Sequence, residues 1–128
     1  MNNNDLLELN FILSLLTSNN QKLFNEIILS KKNKMWCTTI VFSLAIIDNI
    51  FNDKYYESII DGLEINSMKL GKDIAWLRNK RNQILHFDNL HDKSLIIFND
   101  DDLKRNSERA YKILIKSLFK LFPPKFQS

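Results

Sequence analysis

The segment RNQILH places Arg81 and His86 five residues apart with Asn82 directly after the arginine. An imidazole exchanges protons near neutral pH, and a guanidinium stays charged and offers five N–H donors to an anion. Asn82 and His86 are four residues apart, so on a helix they are neighbours on one face. On the same helix Leu70, Ile74, Leu77 and Ile84 recur at steps of four, three and seven, and Arg81 fills the gap in that apolar stripe. A permanent charge on an apolar face requires an anion: an internal carboxylate, with Asp48 or Asp73 as candidates, or a phosphate. Arg78 and Lys80 lie close enough in sequence to add phosphate contacts, although a solvent-facing helix charge is the ordinary use of either residue. A single histidine near a helix end has a structural use too, as a C-cap or surface residue.

Two other groups of residues compete for attention. HFDNLHD brings His86, Asp88, His91 and Asp92 within seven residues, all competent metal ligands, but the spacing matches no strong metal motif and suits capping and turn residues. No metal or cofactor is expected on this reading. Tyr55, Tyr56, Trp36 and Trp76 are possible base-stacking platforms, yet aromatic residues at helical spacing are more often core.

The elements that must position these residues read as helices. Asn4 and Asp5 are candidate caps for a first helix to about Leu16, with Leu6, Leu9, Leu13 and Leu16 at helical spacing. A second helix starts near Asn20 and ends at SKKNK, a basic run read as a solvated loop. Met35 to Phe51 is apolar on most faces, as a central helix is. A short helix over Lys54 to Leu63 and a longer one from about Ser67 into the RNQILH segment follow, then SLIIF, whose length suits a strand or a buried loop. Asp100, Asp101 and Asp102 supply first-turn acidity for a last helix to about Phe122, stopped by Pro123 and Pro124. The expected fold is all-α, a four- to five-helix up-and-down bundle formed by residues 1–128 as a single domain.

Composition bounds the rest. With 45% hydrophobic and 26% charged residues the chain is an ordinary globular one, and two Gly and two Pro leave too little turn punctuation for a many-stranded fold. Eighteen basic residues against 15 acidic ones give a net charge of +3, which permits an acidic partner without demanding one. Cys37 is the only cysteine, which excludes an internal disulfide framework and fits a reducing cytoplasmic setting. MNNNDLLELN carries no basic leader region, and the apolar stretch Trp36–Ile47 is interrupted by Asp48 well short of a bilayer span, so neither secretion nor membrane insertion is expected.

LRNKRNQILHFD resembles the signature of HEPN domains, an Arg followed four to six residues later by His and often with Asn directly after the Arg, which maps onto Arg81, Asn82 and His86. Chain length, helical character and the position of the motif before one further long helix are similar to small HEPN domains as well. The resemblance implies a metal-independent endoribonuclease of toxin or phage-defence type, in which two copies of the motif meet across a homodimer interface and RNA supplies the 2′-hydroxyl nucleophile. It also implies a possible antitoxin or regulatory partner, and it leaves open a catalytically silent module that binds a nucleotide, an antitoxin or a nucleotidyltransferase. In one branch of the family a Tyr two residues after the motif His accepts nucleotidyl groups; here Asp88 holds that position.

Overall fold

The computed structural model describes residues 1–86 and 99–122. Asn2 caps the first helix, α1 (Asn3–Leu15): its Oδ1 accepts from the Asp5 N–H at 2.8 Å while the Asp5 carboxylate accepts from the Asn2 N–H at 3.3 Å. The cap thus lies upstream of Asn4 and Asp5, because Asp5 is used as the reciprocal partner in a capping box. Thr17 caps α2 (Ser18–Lys32), again ahead of the expected start at Asn20, and Asn20 is instead buried. Ser30, Lys31 and Lys32 of the basic run remain helical, and the chain turns where Lys34 takes a left-handed φ of 57°. Nor is the run merely solvated. Lys31 Nζ lies 3.4 Å from the centroid of the Tyr111 ring, and burial lowers its pKa against the opposing pull of Glu108.

The central helix, α3 (Trp36–Asn52), carries the sequence that is apolar on most faces, and it packs against α2, α5 and α6. It buries Ile40, Leu44, Ile46, Ile47 and Ile50 almost completely. The expected helix over Lys54–Leu63 is replaced by a single 3₁₀ turn, Lys54–Tyr56, which Asp53 caps through the Tyr55 N–H at 3.0 Å. Tyr56 explains the interruption, since its side chain is fully buried. Its hydroxyl accepts from the Thr17 N–H and from Asn20 Nδ2, both at 2.8 Å, and donates to Thr17 Oγ1 at 3.2 Å. Asn49 Nδ2 donates to Asn20 Oδ1 at 2.9 Å, so the network also ties the start of α2 to α3.

Asp61 then caps α4 (Gly62–Lys69), and the chain bends before α5 (Lys72–Leu85). The expected continuous helix from Ser67 is broken at Gly71, whose N–H donates to the Met68 carbonyl at 3.0 Å. A Cβ at Gly71 would stand 3.3 Å from that carbonyl oxygen, closer than an ordinary contact. The bend corrects the apolar stripe too: Ile74 and Leu77 are buried and Ile84 is half-buried, but Leu70 lies outside the helix and is 91% exposed. After residues 87–98, α6 (Asp100–Leu121) begins at Asn99, whose Oδ1 accepts from the N–H groups of Asp101 and Asp102 at 2.8 and 3.4 Å.

The described residues therefore form six α-helices and no strand, an all-α fold with one or two helices more than the expected four- to five-helix bundle. All six contribute to one hydrophobic cluster, in which Leu9 and Ile12 of α1, Phe24 and Ile27 of α2, and Met68 of α4 surround the α3–α6 contact. Among the described residues no helix is long and apolar enough to cross a membrane. SLIIF, Asp88, His91, Asp92, Pro123 and Pro124 lie outside the described residues.

Candidate functional site

Burial of Ile74 and Leu77 fixes how α5 is rotated, and that rotation decides where its charged residues point. At 3.6 residues per turn, Arg78, Asn82 and His86 follow one edge of the helix at steps of about 40°, whereas Arg81 lies about 140° from His86. Toward α3, Arg78 grips Asp48 with both arms, Nη1 to Oδ2 at 3.2 Å and Nη2 to Oδ1 at 2.8 Å. This fork is the geometry in which an arginine–carboxylate pair is strongest, and the hydrogen bond to Asp48 raises the pKa of Arg78.

Arg81 also faces Asp48, but at longer range: its Nη1 is 3.8 Å from Asp48 Oδ2, beyond hydrogen-bonding distance. Its firm contacts are with its neighbour, since Nε and Nη2 both donate to Asn82 Oδ1, at 3.1 and 2.8 Å. The arginine that the apolar stripe singled out thus leans on a carboxylate already occupied by Arg78. Its side chain keeps 27% of its surface exposed. Asp73, the other candidate partner, serves α6 instead, accepting from Lys116 Nζ at 3.3 Å.

His86 is the C-cap of α5, with φ −119° and ψ 38°, and its N–H donates to the Asn82 carbonyl at 2.8 Å. That bond holds the backbone of His86 one turn beyond Asn82 while the imidazole remains exposed. Asn82 accordingly contacts both members of the motif, through its side chain to Arg81 and through its carbonyl to His86.

No family model, curated protein or solved structure matches the chain.

The structure brings Arg78, Arg81 and Asn82 together around Asp48, with His86 at the same end of α5. It separates Lys80 from them. Lys80 faces the α6 flank, with Nζ 6.0 Å from the centroid of Trp76 and 3.5 Å from Gln83 Oε1. Arg78 and Lys80, the two residues named as further phosphate contacts, are about 160° apart around the helix and stand on different flanks. Of the aromatic residues, Tyr56 is core, Trp76 is half-buried, and Tyr55 is 51% exposed with its hydroxyl donating to the Leu15 carbonyl at 3.3 Å.

Two features escaped sequence reading. Asp48 appears there as one of two possible partners for Arg81, whereas its principal partner is Arg78; the available signal was a lone acid in the apolar run of α3 facing two arginines three residues apart. Arg109, which stacks on Trp76 at 4.1 Å, gave no signal, because the contact joins separate helices. Among the described residues no three His, Cys, Asp or Glu side chains gather in a possible metal site.

Proposed function

We propose that the chain is an endoribonuclease of HEPN type that cuts RNA by attack of the 2′-hydroxyl, with Arg81, Asn82 and His86 as its active-site residues. One observation carries this reading: a partly exposed guanidinium bonded twice to Asn82, one helical turn before an exposed imidazole. In the proposed reaction the 2′-oxygen forms a bond to the adjacent phosphorus and the bond from phosphorus to the 5′-oxygen breaks. His86 takes the 2′-hydroxyl proton or returns one to the leaving 5′-oxygen. Arg81 meets the charge that grows on the non-bridging oxygens, and Asn82 holds that guanidinium in place. The products are a 2′,3′-cyclic phosphate and a 5′-hydroxyl.

A single motif offers one imidazole for two proton transfers. A symmetric dimer that joined two motifs would supply the second, so the active species is proposed to be a homodimer. The cell-level role that fits such an activity is that of a toxin or defence effector, restrained by a bound antitoxin or regulatory partner rather than by nucleotidylation of a tyrosine at the position of Asp88.

A second reading draws on Asp48. Because that carboxylate lies 3.8 Å from Arg81, the arginine has an internal partner, as it would in a catalytically silent module that binds a nucleotide or a partner protein. Incubation of the wild type and of Arg81→Ala and His86→Ala with total RNA in EDTA separates the two. Cleavage lost in both variants supports the nuclease, and its persistence in both rejects these site residues. Light scattering of the active preparation tests the dimer, which a strictly monomeric active species would exclude.

A further inference from the structure

On α6 the basic residues Arg105, Arg109, Lys112, Lys116 and Lys120 recur at steps of four, three, four and four. At 3.6 residues per turn and 1.5 Å rise, they occupy an arc of about 80° and a length of about 22 Å. All five are exposed. The opposite face of α6, with Ala110, Leu114, Leu118 and Leu121, is buried in the core, so the helix cannot turn its charges elsewhere. The neighbouring flank of α5 extends the same surface: Arg109 lies 4.1 Å above Trp76, and Lys80 approaches that ring at 6.0 Å. Where the row reaches Lys116 and Lys120 it borders a cavity of about 230 Å³ that Lys72 also lines.

Two carboxylates are paired with this row, Asp102 bonded to Arg105 and Asp73 bonded to Lys116, and a third, the exposed Glu108, stands one turn before Lys112 and acts on Lys31. Both pairs are solvent-accessible, and pairs of that kind hold their partners weakly enough for a phosphate to replace the carboxylate. Arg109, Lys112 and Lys120 form no ion pair among the described residues.

We propose that this ridge is a track for the sugar–phosphate backbone of an RNA strand. A straight row of single cations fits a linear polyanion. A membrane surface fits less well, because peripheral helices insert apolar side chains beside their basic ones and the apolar face of α6 is in the core. The proposal rests on RNA being the ligand, but not on its cleavage, since the ridge lies across α5 from Arg78 and Asn82. A substrate strand thereby gains a grip remote from the scissile phosphate.

The test uses the full chain and a fluorescent 2′-O-methyl RNA oligonucleotide, which has no 2′-hydroxyl to attack and reports binding alone. Each phosphate contact to a single strand contributes about −0.7 to the slope of log K against log salt, so five contacts give about −3.5. The triple variant Lys112→Gln, Lys116→Gln, Lys120→Gln is expected to lower the slope to about −1.4 and to weaken binding more than about tenfold at low salt. The matching triple Lys→Arg variant should bind like the wild type. If the Gln triple fails to fold, Lys112→Gln alone should shift the slope by about 0.7. Wild-type affinity and slope in the Gln variant overturn the track, as does equal loss in the Arg variant, or ridge-dependent binding to phosphatidylserine vesicles without binding to RNA. The two readings fail separately. Ridge-dependent binding without His86-dependent cleavage of unmodified RNA removes the nuclease and keeps the track; His86-dependent cleavage with KM unchanged in the Gln triple does the reverse.

Discussion

On the α3 flank of α5, Arg78 places both arms of its guanidinium on Asp48 and leaves Arg81 at 3.8 Å from the same carboxylate, whereas on the α6 flank Arg109 sits 4.1 Å over the Trp76 ring and Lys116 meets Asp73 near solvent. Both flanks of α5 carry cations, and they differ in how those cations are held. A forked pair with a quarter-exposed carboxylate fixes position, while a stacked or single-bonded cation stays available to a ligand. Counting charges along α5 does not reveal this difference, because it depends on which neighbouring helix supplies a carboxylate and which supplies a ring.

The largest expected effect tests whether the α3 flank and its adjoining helix end hold the chemistry. His86→Ala and Arg81→Ala should each lower RNA cleavage by at least about a hundredfold, the scale for loss of an acid–base or charge-stabilising group, with thermal unfolding little changed. Lys80→Ala, on the other flank, should leave the turnover number within about threefold of wild type, because it removes at most a binding contact that acts equally on ground and transition states. Turnover measured at saturating RNA checks both.

Next is the stacked flank. Trp76→Ala removes a half-buried ring and exposes its core contacts, and should destabilise the fold by about 2 kcal/mol in urea unfolding, below the range for a fully buried tryptophan. Trp76→Phe should recover much of that loss. If the alanine variant unfolds like the wild type, the α5–α6 border is not held by this contact.

A smaller effect, about tenfold in cleavage, is expected for Arg78→Ala, because the freed Asp48 carboxylate can then draw Arg81 away from Asn82, and a partial displacement costs less than the roughly hundredfold of a full ångström. Unchanged activity would show that Arg81 is positioned without help from Arg78. Smallest of all, Asp73→Asn should alter stability by no more than about 0.5 kcal/mol, the scale of an exposed ion pair, since Asp73 and Lys116 side chains are 43% and 59% exposed.

Much of the helical plan was readable in the sequence where apolar periodicity is long, as in Trp36–Asn52 and Asp100–Leu121. Reading failed where one side chain overrides a local preference. Tyr56 ends helical structure because its hydroxyl satisfies Thr17 and Asn20, 36 to 39 residues away, and Gly71 interrupts a pattern that Leu70 seemed to extend. The candidate site divides in the same way. Spacing placed Asn82 beside His86, and the gap in the apolar stripe marked Arg81 as a residue needing an anion. That Arg78 holds Asp48 follows from the rotation of α5 against α3, a tertiary fact that spacing along one helix does not encode.

The packing of α3 against α6 also has a consequence in time. The inner face of α3 is covered only when residues 100–121 arrive, after the whole of α4 and α5 has been made. During synthesis on the ribosome, the part of α3 that packs on α6 therefore stays uncovered until α6 emerges and closes over it. Non-local closure of this kind also slows folding relative to a bundle whose neighbours are joined by short turns. A protein built in this order completes its core, and with it the rotation of α5 that sets Arg81 and His86, only once α6 has been made.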